Sequence, residues 1–241
     1  MKLSVITATY NAIQHLPDLV ESLRKQTDKD FEWVVADGAS TDGTVDYLKS
    51  ITDLNLKLIS QEDFGIYDAL NRGIKASSGE FYLVLGADDS LTVDAVSEYK
   101  KAINNNIDII TSNFYHAGKL FKANRGPMWL TASAAFCSGH AVGSIFRKSL
   151  HEKFGYYSKR FPIAADQYFM IKAYLGGAVV KEINVVTGVF GDGGVSSLDA
   201  IGIITELYRI LLELGVNKYL LTFIFYIRIL KALLQAKRTL K

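Results

Sequence analysis

Short apolar runs alternate with segments of helical spacing through the first 110 residues of the chain. The apolar runs are rich in β-branched and aromatic residues, which favour strands. These runs are Leu3–Thr7, Glu32–Ala36, Leu56–Ser60 and Phe81–Leu85. Between them, apolar residues recur every three or four positions, which predicts helices over Leu16–Gln26, Thr44–Ser50 and Ile66–Ala76. This βαβαβαβ order predicts an α/β fold with a mostly parallel central sheet flanked by helices.

After residue 110 the pattern is weaker. We predict strands over Ile109–Asn113, Ala141–Phe146 and Val179–Val185, and a helix from Asp166 to about Tyr174. A glycine-rich loop follows over Gly188–Ser197. Two helices then close the chain, over Ala200–Leu214 and Lys218–Lys237. The sequence therefore predicts one domain over residues 1–198 and a C-terminal helical segment over residues 199–241.

The loops at the carboxyl ends of the first four strands are polar and rich in Asp and Gly. Their sequences are YNAIQH, DGASTDGT, QEDFG and GADDS. Ligands of open α/β sheets bind at this edge. The first loop has no GxGxxG motif and the chain has no GxxxxGK[ST] motif, which argues against a dinucleotide-binding Rossmann domain and a P-loop NTPase.

Asp88 and Asp89 directly follow the apolar run FYLVL. Two adjacent carboxylates at the end of a buried strand repel each other and lose hydration, and a divalent cation relieves both costs. Mg²⁺ and Mn²⁺ prefer such oxygen ligands, and a diphosphate could supply the others. The alternative is that one Asp caps a helix starting near Leu91.

Two other loops carry groups that suit a polar planar ligand. Asp37, at the end of the second strand, could accept hydrogen bonds from an amide or hydroxyl. Thr9, Tyr10 and Asn11 follow the first strand, where the Tyr10 ring could stack on a base. A core position for Tyr10 is the alternative. Asp42, with Gly43 and Thr44, indicates a turn and cap for the next helix.

The composition limits the class of protein further. The chain has 241 residues and is 49% hydrophobic, which excludes a disordered chain. Its single cysteine, Cys137, cannot form an internal disulfide. The net charge of +2 conceals a strong asymmetry. Residues 1–120 hold 11 basic and 18 acidic residues, whereas residues 121–241 hold 16 basic and 7 acidic ones. An acidic first half argues against a nucleic-acid partner.

The C-terminal segment combines apolar and basic residues. Tyr219–Ile227 is an apolar run of nine residues, about half of the ~20 needed to cross a bilayer. From Gly215 to the end there are six basic residues and no acidic one. This combination suits a helix that lies in the interface of an anionic membrane. The alternative is a helix packed on the domain or on a partner subunit. The N-terminus does not have the pattern of a signal peptide.

Four motifs occur in a fixed order in this chain: TATYNA, DGASTDGT, GIYDALNRGI and LGADD. In order and spacing they resemble the inverting family 2 glycosyltransferases of the GT-A fold. GIYDALNRG followed by GADD is most similar to a bacterial branch that makes capsule, exopolysaccharide or colanic-acid-type polymers. The resemblance continues more weakly through GHAVGSIFRK, IAADQYF and GDGGVSS.

The resemblance implies a metal-dependent transferase that moves a sugar, with inversion, from a UDP-sugar to a glycan hydroxyl. The acceptor would be linked to a polyprenyl diphosphate, and the enzyme would lie on the cytoplasmic face of the cell membrane. Residues 1–110 would form the nucleotide-sugar-binding half and residues 111–198 the acceptor half. The alternatives are a sugar-nucleotide nucleotidyltransferase and a non-catalytic nucleotide- or glycan-binding scaffold.

The resemblance also implies roles for individual residues. The nucleobase would lie beside Thr9, Tyr10, Asn11 and Asp37, with Asp37 facing a uracil-type edge. The remaining roles are Arg72 near the diphosphate, Asp88 at the ribose or the metal, Asp89 at Mg²⁺ or Mn²⁺, Asp166 as catalytic base with Asp192 as its rival, and His140 at the donor phosphate or the acceptor. The common DxDD form of the motif has an acid where this chain has Gly86.

Overall fold

A computed structural model describes residues 2–191 and 199–239, and the side chains of the last helix as far as Leu234. Asp192 and most of the predicted glycine-rich loop lie outside these residues. In the first half, all four predicted strands and all three predicted helices are present. They are β1 (Leu3–Thr9), α1 (Leu16–Arg24), β2 (Phe31–Asp37), α2 (Thr44–Ser50), β3 (Leu56–Ser60), α3 (Ile66–Ala76) and β4 (Phe81–Val84).

These four strands pair in parallel in the order β3-β2-β1-β4, as expected for a βαβ succession. Strands β1 and β2 extend further than the sequence pattern predicts. Their last residues, Thr9 and Asp37, are register partners at the carboxyl edge of the sheet. The pairing therefore brings together two residues that lie in different sequence motifs.

The second half extends the same sheet with mixed strand directions. Its elements are β5 (Ser90–Leu91), α4 (Ala95–Ala102), β6 (Ile109–His116), β7 (Lys119–Phe121), α5 (Met128–Thr131), a 3₁₀ helix (Ala132–Ala135), β8 (Ser144–Arg147), α6 (Leu150–Phe154), α7 (Ala165–Leu175) and β9 (Val180–Phe190). The order continues β4-β8-β6-β9-β5, and β7 pairs with β6. Only β6 and β9 pair in parallel here, whereas β8 is antiparallel to both of its neighbours.

Three expectations for this half need correction. No helix starts near Leu91, because Ser90 and Leu91 form strand β5 against β9. Helix α4 begins at Ala95 with Asp94 in the N-cap position, so the alternative role of Asp88 or Asp89 as a helix cap is wrong. Strand β8 begins only at Ser144, because Ala141 makes no more than an isolated bridge to Val84.

Apolar side chains fill both faces of the sheet. Leu3, Val5 and Trp33 belong to the core beneath α1 and α2, while Ile6 and Val34 face the core that contains α3 and α7. Burial on both faces explains why these strands are continuous apolar runs instead of alternating ones. The result is three layers with the carboxyl edge of the parallel strands exposed at one end.

Two helices end the described chain, α8 (Ala200–Glu213) and α9 (Lys218–Thr239). Helix α8 packs through Ile210 and Leu211 on the core that includes α7. Its buried Glu206 accepts hydrogen bonds from the backbone N–H groups of Ile163 (3.0 Å) and Ala164 (2.8 Å), at the start of α7. Within the described residues, no helix combines the length and the apolar character that a membrane span requires.

Candidate active site

A hydrogen-bonded carboxylate lies at the ends of β1 and β2. Asp37 is fully buried and accepts hydrogen bonds from Thr9 Oγ1 (2.9 Å), Ser40 N (2.9 Å), Ser40 Oγ (2.5 Å) and Ser60 Oγ (2.8 Å). Burial by itself raises the pKa of Asp37, but the hydrogen bonds from Ser40, Ser60 and Thr9 outweigh it and lower the pKa. Asp37 is therefore a fixed carboxylate at the edge where α/β sheets bind ligands.

The predicted stacking residue, Tyr10, is 69% exposed beside this carboxylate, so it is not a core tyrosine. Asn11 has a positive φ of 48° and ties the two loops together: its N–H donates to Ser40 Oγ (2.8 Å) and its Oδ1 accepts from Thr41 N (2.9 Å). These bonds hold the segment that carries Tyr10 against the loop that follows Asp37.

Gly38 lies between Tyr10 and Asp63. A Cβ atom on Gly38 would be 2.7 Å from Asp63 Oδ2 and 3.3 Å from Tyr10 Cδ2, so any larger residue would displace Asp63. Asp63 follows β3 in the QEDFG loop and was not predicted as a site residue, although that loop stands at the ligand-binding edge. The ring of Tyr10, the backbone of Gly38 and the carboxylate of Asp63 therefore lie close together at this edge of the sheet.

Arg72, on helix α3, contacts both the Asp37 loop and Asp63. Its Nη2 donates to the carbonyl oxygen of Asp37 (2.9 Å) and lies 3.8 Å from Asp63 Oδ2. Its Nε is the one buried side-chain nitrogen or oxygen atom without a hydrogen-bond partner in the part of the chain that the structure describes. The guanidinium of Arg72 thus directs its hydrogen bonds to the backbone carbonyl groups of Asp37, Gln61 and Glu62.

The two neighbouring carboxylates of the GADD motif have different environments. Asp89 is 1% exposed and accepts hydrogen bonds from Gly86 N (2.6 Å) and Gly191 N (2.8 Å). Burial raises the pKa of Asp89 to about 6, with a smaller contribution from the charge of Asp88. Asp89 therefore joins the end of β4 to the end of β9. Asp88 is only half-buried.

The geometry also accounts for Gly86, where the common motif has an acid. A Cβ atom on Gly86 would stand 2.9 Å from Asp88 Oδ1 and 3.1 Å from Asp89 Oδ2. A third carboxylate at this position would add both crowding and like-charge repulsion. The arrangement of Asp88 and Asp89 is thus built around a glycine.

The carboxylates of the GADD motif are the candidate ligands for a divalent metal. Among the described residues, no group of three or more His, Cys, Asp or Glu side chains could hold a metal ion. Asp88 supplies a half-exposed carboxylate of the kind that Mg²⁺ and Mn²⁺ prefer. Asp89 accepts a hydrogen bond from Gly86 N and so fixes the backbone on which Asp88 lies. The residues therefore fit a metal held by Asp88 together with oxygen atoms of a ligand. The metal role of Asp89 stays a prediction.

Asp166 is the second residue of α7 and is held by a tyrosine of α3. The hydroxyl of Tyr67 donates to Asp166 Oδ1 (2.7 Å) and approaches the carbonyl oxygen of Ile163 (2.9 Å). Burial raises the pKa of Tyr67 far above its ordinary value, and the charge of Asp166 adds to this shift. The N-cap residue of α7 is Ala164, without a side-chain cap, so Asp166 is not a helix cap. Tyr67 was missed, although it belongs to the GIYDALNRGI motif.

A cavity of about 340 Å³ adjoins Tyr67. It is lined by Phe64, Gly65, Ile66, Tyr67, Asp68, Ser158, Lys159 and Pro162. The ring of Phe64 is 88% exposed, and Lys159 Nζ lies 4.6 Å from its centroid and 3.2 Å from Asp68 Oδ1. This combination of an exposed aromatic face with charged hydrogen-bonding groups lies next to the residue that binds Asp166.

His140 precedes β8 and is half-buried. Its Nε2 lies 2.6 Å from the hydroxyl of Tyr157. Burial lowers the pKa of His140, and the negative charge of Asp166 opposes this shift. Tyr157 in turn packs against Tyr67, with ring centroids 5.5 Å apart. Asp166, Tyr67, Tyr157 and His140 therefore belong to one cluster, whereas Thr9 and Asp37 belong to another.

Helix α3 connects the two clusters. Arg72 on this helix contacts the Asp37 loop, and Tyr67, five residues earlier, contacts Asp166. Apart from Asp88 and Asp89, which follow β4, the predicted site residues are thus arranged in two groups that share one helix. One group lies at the ends of β1 and β2, and the other lies at the start of α7.

Comparison with solved structures defines the fold class. Over 92% of this chain and 68% of the other, the structure is similar to Staphylococcus aureus TarS 1–349, with a TM-score of 0.71 and 22% identity. It is also similar to the mannosyltransferase PcManGT from Pyrobaculum calidifontis, solved with GDP-Man and Mn²⁺. That match has a TM-score of 0.69 and 21% identity, over 89% and 64% of the two chains. The α/β fold with its curled, mostly parallel sheet is therefore that of the GT-A proteins.

Sequence comparison defines the family. The model of "Glycosyl transferase family 2" matches residues 4–175. A PGL/p-HBAD biosynthesis glycosyltransferase of Mycobacterium tuberculosis is 31% identical over 215 residues, which cover 80% of this chain and 78% of that protein. The chain therefore belongs to glycosyl transferase family 2, as its four ordered motifs predict. The resemblance to a capsule or colanic-acid branch is not among these findings.

Proposed function

We propose that the protein transfers a sugar, with inversion, from a nucleotide sugar to a hydroxyl group of a glycan. The observation that carries this proposal is the Asp166 carboxylate, which accepts a hydrogen bond from Tyr67 at 2.7 Å, and Tyr67 itself lines an open cavity. A group held in this way can accept the proton of an attacking hydroxyl, and such base catalysis contributes roughly 10²- to 10⁴-fold to a rate.

The nucleotide would bind beside Tyr10, Gly38 and Asp63, at a place that we call the recess. A base can stack on the exposed ring of Tyr10, while the fixed carboxylate of Asp37 supports the recess from the sheet edge. We propose a UDP-sugar as donor. In support, structures of S. aureus TarS, which shares this fold, were solved with UDP and with UDP-GlcNAc.

The diphosphate would lie near Asp88. A bound Mg²⁺ or Mn²⁺ would act there as a Lewis acid that neutralises the charge of the leaving nucleoside diphosphate. The structural neighbour PcManGT was solved with Mn²⁺. Asp88 would bind the metal, while Asp89 fixes the turn through its hydrogen bonds to Gly86 and Gly191.

The acceptor sugar would occupy the cavity beside Tyr67. Sugar rings present C–H faces and hydroxyl groups, which suit the exposed ring of Phe64 and the ion pair of Asp68 with Lys159. A hydroxyl bound next to Tyr67 in this cavity would lie close to Asp166, to which Tyr67 donates. Attack on the anomeric carbon from the side opposite the diphosphate needs a single base and no covalent sugar intermediate.

Turnover of nucleotide sugars tests this proposal. We expect the protein to release nucleoside diphosphate from a UDP-sugar in the presence of Mn²⁺ and an acceptor glycan, and to lose this activity with EDTA. The Asp88→Asn variant should need more Mn²⁺, and Asp46→Asn on the outer helix α2 serves as the matched control. Formation of sugar 1-phosphate and nucleoside triphosphate with pyrophosphate would instead identify a nucleotidyltransferase. The absence of turnover with every donor would favour a binding scaffold.

We further propose that the acceptor is carried by a lipid such as a polyprenyl diphosphate, and that α9 binds the cytoplasmic face of the membrane during surface polysaccharide synthesis. Seven large apolar side chains of α9 are about half to three-quarters exposed, at intervals of three and four residues: Tyr219, Phe223, Tyr226, Ile227, Leu230, Leu233 and Leu234. Between Gly215 and the end of the sequence, five more basic residues accompany Arg228, which suits anionic lipid.

Arg228 extends this surface to helix α5. Its guanidinium donates to the carbonyl oxygen of Leu130, next to the exposed Trp129. Tryptophan at this level suits a membrane interface. Replacement of Phe223 and Leu230 by Glu should release the protein from phosphatidylserine liposomes, whereas Val93→Glu, at an exposed apolar position elsewhere, should not. Unchanged sedimentation of the double variant would contradict membrane binding.

A further inference from the structure

A chain of hydrogen bonds connects His140 to a second, buried histidine. His151 Nδ1 lies 3.1 Å from the carbonyl oxygen of Gly155, which can only accept, so Nδ1 carries the proton. Burial lowers the pKa of His151 to about 4, which keeps the ring neutral. Its Nε2 is therefore a bare acceptor. The hydroxyl of Tyr82, at 2.7 Å, must donate to it.

The same reasoning fixes every later bond of the chain. Tyr82 has one hydroxyl proton, which it gives to His151, so its oxygen accepts from the hydroxyl of Tyr157 at 2.9 Å. Tyr157 has then used its own proton, and its oxygen must accept from His140 Nε2–H at 2.6 Å. His140 carries its proton on Nε2, and because burial disfavours the charged ring, Nδ1 is left as an acceptor.

The position of His140 brings this acceptor close to the chemistry. The residue after His140, Ala141, forms an isolated β-bridge with Val84 at the end of β4. The GADD motif begins two positions after Val84, at Gly86. The charge of Asp166 acts on the ring, and Tyr157 packs on the Tyr67 that holds Asp166. No group of the described residues is hydrogen-bonded to His140 Nδ1.

We propose that His140 is held in the Nε2–H tautomer and that its Nδ1 accepts a hydrogen bond from a sugar hydroxyl of the substrate. This inference rests on the proposed function for its ligand. Phosphate oxygens only accept hydrogen bonds, so a bare Nδ1 repels them, whereas a hydroxyl can donate to it. His140 thereby selects a sugar hydroxyl and does not bind the diphosphate. Tyr157, Tyr82 and His151 are positioning residues that set its tautomer.

Nitrogen NMR of the ¹⁵N-histidine-labelled protein tests the tautomer without substrate. Long-range ¹H–¹⁵N correlations should show His140 as Nε2–H and His151 as Nδ1–H, with each signal assigned by a His→Gln variant. Tyr82→Phe should abolish the exclusive Nε2–H form of His140, because Tyr157 is then free to donate in the other direction. Tyr99 is equally buried but does not belong to these hydrogen bonds, so Tyr99→Phe should leave the tautomer of His140 unchanged. A charged or Nδ1–H His140 in the unmodified protein would overturn the proposal.

Binding and kinetics of His140→Gln test the ligand. The amide nitrogen of glutamine can take the place of Nε2 and still donate to Tyr157, but its amide oxygen then lies on the Cδ2 side of the former ring, so no acceptor occupies the position of Nδ1. We expect the Kd for UDP to stay the same. The hydrogen bond to the sugar hydroxyl is lost, which should raise either the Kd for the UDP-sugar or the KM for the acceptor by roughly three- to tenfold. A weaker Kd for the UDP-sugar relative to UDP would assign the hydroxyl to the donor sugar. A higher KM for the acceptor alone would assign it to the acceptor.

Two results would contradict this role. Weaker binding of UDP itself would mean that His140 contacts phosphate, and unchanged binding and KM for both substrates would mean that it contacts neither. If the unmodified protein turns over no nucleotide sugar, the proposed function fails. The NMR result then still decides separately whether the hydrogen-bond chain holds His140 as inferred.

Discussion

The contact between Tyr67 and Asp166 leads to a quantitative prediction for Tyr67→Phe. The substitution removes only the hydroxyl group, which donates to Asp166 Oδ1 at 2.7 Å and approaches Ile163 O at 2.9 Å. The ring keeps its packing against Tyr157. Asp166 loses the group that orients it, so we expect its proton acceptance during attack to suffer while the nucleotide recess stays intact.

The magnitude follows from the type of bond. A hydrogen bond to a charged group contributes about 1.5–3 kcal/mol. If this whole free energy is expressed in the transition state, kcat falls by roughly 10- to 150-fold, since ~1.4 kcal/mol corresponds to a factor of ten. The one hydroxyl proton is already assigned to Asp166, so the approach to Ile163 O adds no second hydrogen-bond free energy. Kinetics should be measured well below the melting temperature of the variant.

Steady-state kinetics with both substrates is the assay, and Tyr168→Phe is its matched control. Tyr168 lies on the same helix as Asp166 and donates to Glu213 at 2.7 Å, also a carboxylate. We expect kcat to fall only in Tyr67→Phe, with the donor KM unchanged. An unchanged kcat, an equal loss in both variants, or a loss confined to the donor KM would refute the positioning role of Tyr67.

Two further predictions concern the recess and the buried histidine. Gly38→Ala should weaken UDP binding several-fold in calorimetry, because its Cβ would stand 2.7 Å from Asp63 Oδ2, and an unchanged Kd would show that the recess is not the nucleotide site. Burial lowers the pKa of His151 to about 4, below its unfolded value of ~6.5, so the unfolded chain binds more protons between these values. As the pH is lowered from 7 to 4, the free energy of unfolding of the unmodified protein should therefore fall by about 3 kcal/mol more than that of His151→Gln. The exposed His15→Gln should behave like the unmodified protein in urea unfolding, and equal pH slopes for all three would contradict the shift.

The parallel half of the sheet could be predicted because each of its strands is buried on both faces and carries its own apolar run. The pairing of Thr9 with Asp37 does not follow from this pattern, because the apolar runs end at Thr7 and Ala36 while the strands continue past them. Strand β5 could not be predicted, since two residues have no periodicity and the strand exists only through pairing with β9. The short helices of the segment 117–158 could not be predicted either, because they have too few residues for a helical spacing of apolar positions and depend on their packing.

The candidate site divides in the same way. Residue types and motif spacing indicate Asp37, Asp88 and Asp166, but not what holds them. Tyr67 and Asp166 are 99 positions apart, and the N–H that binds Asp89 comes from Gly191, 102 positions away. The different burial of Asp88 and Asp89 therefore depends on tertiary contacts, and no local pattern separates two adjacent aspartates.

The central claim is that Asp166 is the base of a sugar transfer. Asp166→Asn keeps an oxygen that can accept from Tyr67 but removes the basic carboxylate. Transfer and UDP-sugar affinity should be measured on the same preparation of this variant. We expect transfer to fall by roughly 100-fold or more, while the Kd for the donor changes by less than about twofold. Transfer that persists at near its original rate, or a donor Kd that weakens in parallel with the rate, would contradict the role of Asp166 as the base.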